Sequence, residues 1–106
     1  MEIEFAEKYL QELYEEGKAS GKRHRYQKEV VNKYIKTVDV LRNAPDTEFL
    51  YKLKSLHYEK KEGSLKRIEA VYVNKQYRLE FISRIEGEEP DKIIICSLLD
   101  LSSHYK

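Results

Sequence analysis

IEAVYVNKQYRLEFI, residues 68–82, reads as two short strands around a turn, and the rest of the fold follows from where those strands must sit. Ile68–Val73 and Gln76–Ile82 are rich in β-branched and aromatic residues, which suit a pleated, half-buried surface. Asn74 and Lys75 between them predict a two-residue hairpin turn, because asparagine tolerates the positive φ such turns require. That turn sets Val73 opposite Gln76 and Val71 opposite Arg78. Period-two alternation then places Tyr77, Leu79 and Phe81 on one face and Gln76, Arg78 and Glu80 on the other, so Arg78 points away from the apolar face.

Downstream, RIEGEEPDK (84–92) is an acidic turn, and IIICSLL (93–99) is apolar on both faces, as a central strand would be. The chain continues as DLSSHYK (100–106), a polar tail that lies beside the hairpin if its strand pairs there. Upstream, Pro45 in NAPDTEF (43–49) ends a helical pattern, since proline lacks an amide donor and restricts Ala44 before it. Leu50, Leu53 and Leu56 then lead into the hairpin. From Arg25 to Asn43, Tyr26, Val30, Val31, Tyr34, Ile35, Val38 and Leu41 form one broad stripe at helical spacing. GKASGKRHR (17–25) is a polar, glycine-bearing loop. Ala6–Glu16 carries Tyr9, Leu10, Leu13 and Tyr14 at the same spacing and stops at Gly17. Met1–Phe5 alternates as a short strand with Ile3 and Phe5 on one face. The expected architecture is α+β in the order β-α-α-β-β-β. An N-terminal helical hairpin packs on a small, mainly antiparallel sheet, and residues 1–106 form one domain.

A net charge of +1 conceals segregation. Residues 1–16 hold six acids against Lys8, whereas residues 18–36 hold seven bases against Glu29. Residues 52–67 are again basic, with six bases against Glu59 and Glu62, and residues 86–92 swing back to acid. A cationic face of this kind holds a polyanion even when total charge is near zero, although lysine-rich helices are more often simply solvated. MEIEF at the start carries charge where a secretory signal needs an apolar run, and no stretch is long enough to span a membrane, so a cytoplasmic protein is expected. The one cysteine, Cys96, sits in the apolar run and reads as a small buried hydrophobe.

No metal-ligand spacing, phosphate-binding glycine loop or nucleophile elbow is present, and no cofactor or metal is expected. What remains is His57, Lys60, Lys61, Arg78 and His104, a set that the sheet's uncovered face can collect. Cleavage of RNA without a metal needs little more: a base for the ribose 2′-OH, cations for the growing phosphate charge, and an acid for the leaving 5′-oxygen. Each residue alone is weak evidence, since a lone histidine is more often structural than catalytic.

The order strand, helical hairpin, LHYEKKEGSLKRIEAVYVNKQYRLEF (56–81) and a terminal strand leading to DLSSHYK resembles the HigB branch of the RelE/ParE toxins of bacterial toxin–antitoxin systems. VYVNKQYRLEF is the most specific part, similar to the family's hairpin with its asparagine turn and aromatic-Arg-aliphatic-x-Phe strand. The resemblance implies a ribosome-dependent endoribonuclease that cuts mRNA and is silenced by a helix-turn-helix antitoxin. It implies proton transfer by His57, Lys60 and His104, phosphate stabilisation by Arg78, and orientation or charge balance by Asp100. Lys61, Lys66, Arg67, Tyr72 and Lys75 are the expected RNA contacts. Tyr72 stands where many members carry arginine and would stack on a base instead. Asp100 and His104 are further apart than in most members. The partners implied are the antitoxin, the ribosome and mRNA, with no membrane, and a monomer when free. Two other readings stay open: a non-enzymatic ParE-like toxin that binds gyrase, and a plain nucleic-acid-binding module.

Overall fold

A computed structural model of the chain describes residues 1–61 and 67–103. Lys66 and His104, both expected at the site, lie outside the described residues. The fold is α+β, with strands β1 (Glu2–Phe5), β2 (Glu59–Lys60), β3 (Glu69–Tyr72), β4 (Tyr77–Glu86) and β5 (Ile93–Ser103). They form one sheet in the order β1-β5-β4-β3-β2. β1 runs parallel to β5, and the other neighbours are antiparallel. Helices α1 (Lys8–Glu16) and α2 (Lys28–Asn43) form the hairpin on one face, joined by a single 3-10 turn at Lys22–His24.

Apolar spacing explains the packing. Leu10 and Leu13 of α1, Val30, Val31, Tyr34, Val38 and Leu41 of α2, and Val71, Leu79, Phe81, Cys96 and Leu98 of the sheet share one buried cluster. Tyr34 is fully buried and keeps its hydroxyl satisfied by donating to the Leu10 carbonyl at 2.7 Å, which fixes α2 against α1. Gly17 ends α1 at φ 78, in the left-handed region that lets its amide turn back onto the Leu13 carbonyl. Burial pushes the Cys96 thiol up to about 12, in keeping with its reading as a core residue. The buried Glu69 carboxylate accepts from the Tyr58 hydroxyl and from the Ser83 amide and hydroxyl, so its charge is fully hydrogen-bonded.

Three local expectations need correction. A third helix, α3 (Thr47–Lys52), follows Pro45; the Asp46 carboxylate caps it by accepting from the Phe49 amide at 2.9 Å. α2 begins at Lys28 rather than Arg25, because Arg25 and Gln27 are extended and Tyr26 sets its ring edge-on to Tyr77 instead. The β3–β4 register is shifted by one residue. Val71 faces Leu79 and Tyr72 faces Arg78, which leaves a loop of residues 74–76. Asn74 does not use positive φ; its side-chain oxygen accepts from the amides of Gln76 and Tyr77, both at 2.8 Å. The observed register keeps Val71 and Val73 on the helix side with Leu79 and Phe81, whereas the expected one would have set Val71 beside a charged arginine.

Candidate active site

The register shift brings Tyr72 and Arg78 together on the face turned away from the helices. Arg78 pairs across β4–β5 with Ser102, which extends the row to Tyr72, Arg78 and Ser102. His57 completes it from the other side, its ring 5.2 Å from that of Tyr72 and inclined at 63°. His57 follows a 3-10 turn at Lys54–Leu56 and adopts φ 45, ψ 47, the single non-glycine positive φ among the described residues. Left-handed backbone costs an ordinary residue roughly 1 kcal/mol. Here it halts the turn and leaves the imidazole exposed beside an aromatic ring.

Arg78 is the centre of this row and is only 8% exposed. Its Nη1 lies 3.1 Å from Glu59 Oε1, and its Nη2 donates to the His57 carbonyl at 3.4 Å. The guanidinium therefore ties the start of β2 to β4 and holds the His57 backbone in place. Lys61 Nζ stands 3.7 Å from the same Glu59 oxygen, so one carboxylate is shared by two cations. Glu59 was missed from sequence. Its signal is subtle: it lies two residues before Lys61, and β alternation puts both on one face.

That alternation moves Lys60 out of the expected cluster. Lys60 pairs with Glu69, on the opposite face from Glu59, and lines an edge cleft with Arg67, Glu69, Ile82 and Ser83. Lys61, expected only as an RNA contact, is the lysine that accompanies Arg78. Lys75 lies in the hairpin loop and lines a cleft of 380 Å³ with Glu29, Lys33, Tyr72, Asn74 and Gln76. Arg67 is exposed in the turn before β3.

Asp100 lies on β5 opposite Glu80, two residues along β4 from Arg78, and its carboxylate is not bonded to His57. Its carboxylate instead accepts a hydrogen bond from the Tyr9 hydroxyl at 2.6 Å. Tyr9, 91 residues away in sequence, carried no signal beyond its place in a helical stripe. Burial, reinforced by the bond to Asp100, pushes this phenol well above its ordinary range, so it is a neutral donor. Among the described residues no group of three or more His, Cys, Asp or Glu is placed to hold a metal ion, and no helix is long and apolar enough to cross a membrane.

Comparison with known proteins bears on this arrangement. A family described as "RelE-like toxin of type II toxin-antitoxin system HigB" matches residues 3–91, a span that includes His57, Lys61 and Arg78 but ends before β5. No curated protein matches the chain. A solved structure, the "YoeB/ParE toxin from Agrobacterium tumefaciens", is similar in fold, with a TM-score of 0.55 at 14% identity over 99% of this chain and 100% of that one. The likeness of fold agrees with the α+β architecture described above, and the family match spans most of the chain. The chain belongs to the HigB-like family of RelE-like toxins of type II toxin–antitoxin systems.

Proposed function

We propose that the protein is a ribosome-dependent endoribonuclease that cleaves mRNA, with the His57–Tyr72–Arg78–Ser102 row as the centre of its active site. The supporting observation is the exposed His57 imidazole, packed against Tyr72 and held by its own carbonyl to the Arg78 guanidinium. In this scheme the ribose 2′-oxygen attacks the adjacent phosphorus and the bond to the 5′-oxygen breaks. The products are a 2′,3′-cyclic phosphate and a free 5′-hydroxyl. One proton must leave the 2′-hydroxyl and one must reach the departing 5′-oxygen.

Histidine, with an ordinary pKa near about 6.5, suits proton transfer at neutral pH, and His57 takes that part. Arginine stays charged, so Arg78 neither gives nor takes the proton and instead supplies fixed positive charge to the phosphate. Lys61 adds a second cation on the same face, in place of Lys60. Tyr72 offers a ring for a nucleobase, and His104 is the second proton carrier. Lys66, Arg67 and Lys75 contact the RNA backbone. A site spread along an open sheet face, rather than sunk in a pocket, relies on the ribosome to align the 2′-hydroxyl for in-line attack. A type II toxin has an antitoxin partner; we propose a helix-turn-helix protein whose binding covers this face.

Mapping RNA ends in a translating extract, with and without ribosomes, tests the proposal. New ends that appear only on ribosome-bound mRNA are the expected result. Equal cutting of naked RNA overturns ribosome dependence, and gyrase-linked DNA damage with intact mRNA overturns the nuclease in favour of a ParE-like action.

A further inference from the structure

β1 covers the outer edge of β5 only as far as the Phe5–Leu98 pair, after which the Ala6 amide donates once more to the Leu98 carbonyl at 2.9 Å. From there to Ser103 the strand has β4 on one side and, among the described residues, no strand on the other. At the same point the β4–β5 register slips: Phe81 faces Leu98 and Glu80 faces Asp100, leaving Leu99 as the extra residue of a bulge. A bulge at a strand edge weakens pairing and re-aims the side chains beyond it. The segment it loosens carries Asp100 and Ser102, and Ser102 is the β5 partner of Arg78.

One side chain replaces the missing strand. The Tyr9 hydroxyl accepts from the Leu101 amide at 3.0 Å and donates to Asp100 Oδ1 at 2.6 Å, satisfying an edge amide and a carboxylate with one oxygen. Its ring is clamped from the loop between α1 and α2 by His24, stacked at 3.6 Å with planes 6° apart. We infer that Tyr9 and His24 are positioning residues for RNA cleavage. They form a latch that fixes residues 100–103 of β5 against Arg78, with Asp100 as its anchor. This inference rests on the endoribonuclease reading above. In the latch Asp100 acts through the Tyr9 hydroxyl, which it holds, rather than through a contact with His57.

Single-turnover cleavage of programmed ribosomes tests it, with half-saturating ribosome concentration measured alongside rate. Tyr9→Phe keeps the ring and its stack and removes only the hydroxyl. The expected result is a rate loss of about 30- to 100-fold with half-saturation changed less than about twofold, the signature of misplacement by about an ångström rather than of lost binding. Asp100→Ala, which removes the acceptor, is expected to lose a similar factor, and the double variant no more than either single one, because both break the same contact. His24→Ala leaves every hydrogen bond of the latch in place and should slow cleavage by about 5- to 10-fold through a looser ring. It decides the question if Tyr9→Phe fails to fold.

Wild-type rates for Tyr9→Phe and His24→Ala, or losses that multiply in the double variant, overturn the latch. His57→Ala separates the two readings. If it abolishes cutting while Tyr9→Phe is silent, the latch alone falls. If the wild-type protein cuts no RNA on the ribosome, the nuclease reading falls and the latch with it.

Discussion

Arg78 carries two separable loads, packing and charge, and substitution divides them. Its side chain is 10% exposed, so Arg78→Ala removes the two largely buried methylenes beyond Cβ as well as the guanidinium. At about 0.8 kcal/mol per buried methylene this stem accounts for about 1.6 kcal/mol. The ion pair adds about 1 kcal/mol at most, because the Glu59 side chain is 46% exposed and rehydrates when its partner leaves. Arg78→Met keeps the stem and should cost only the second part. For a domain of this size 1 kcal/mol corresponds to a Tm shift of about 4–8 °C, so the methionine variant should melt that much lower and the alanine variant about three times as far below wild type. Both should remain folded, since domains typically hold about 5–15 kcal/mol in reserve.

Cleavage should not follow that order. If Arg78 stabilises the phosphate in the transition state, both variants lose about 10²- to 10³-fold in single-turnover rate, whatever their Tm. Arg78→Lys retains a point charge but no planar fork, so it cannot serve Glu59 and the His57 carbonyl together and should lose about 10-fold. Thermal melts paired with cleavage of programmed ribosomes measure both loads. A folded Arg78→Met that cuts within fivefold of wild type would refute the role given to its charge.

Three further outcomes are expected. His57→Ala should lose about 10²- to 10⁴-fold in cleavage while still sedimenting with ribosomes, and His57→Gly, which relieves the left-handed backbone at φ 45, should be no less stable than wild type yet equally inactive; cleavage at the wild-type rate by either would remove His57 from the chemistry. Asn74→Ala takes away the acceptor of two turn amides and should lower stability by about 1 kcal/mol, read as a lower urea midpoint with an unchanged slope; an unmoved midpoint would show that the side chain does not set this turn. Arg84, hydrogen-bonded to Glu4 across β5, holds that carboxyl down at about 2 from 4.5. A depressed carboxyl stabilises the fold above its unfolded value, and the contribution fades as pH falls from about 4.5 toward 2. Urea midpoints at pH 7 and pH 3 should therefore fall less for Glu4→Gln than for wild type, and equal falls would show that the pair is not linked to folding.

The elements that came through the sequence well are those whose burial pattern is local. The stripe from Val30 to Leu41 and the alternation of Tyr77, Leu79 and Phe81 each repeat within one element, so the helical hairpin, the face of Arg78 and the interior place of the IIICSLL run of β5 were all legible. α3 was not, because it has six residues and buries Leu50 alone, too few for any period to show; its one clear signal, Asp46 before Thr47, is a cap without a stripe behind it. The hairpin register failed for a related reason. Asn74 announces a turn in two ways, by positive φ or by its side-chain oxygen, and only the packing of Val71 against Leu79 decides between them.

The site shows the same division at larger stakes, because a face on a short edge strand is set by its neighbour's register rather than by its own residues. β2 has two residues, and Lys60 and Lys61 look alike in sequence; pairing Glu59 with Ala70 turns Lys61 toward Arg78 and Lys60 toward Glu69. Asp100 illustrates the further limit. A resemblance between linear patterns offers it as a companion of the histidines, but the contact that defines it joins the first helix to the last strand, and no pattern within either element encodes that meeting. What recruits Tyr9 is the edge of the sheet: β1 ends after four residues, no strand among the described residues continues along the outer edge of β5 past the bulge, and a buried amide there must find an acceptor. The requirement belongs to the sheet's topology, so a residue that answers it becomes visible only once the strands have been ordered.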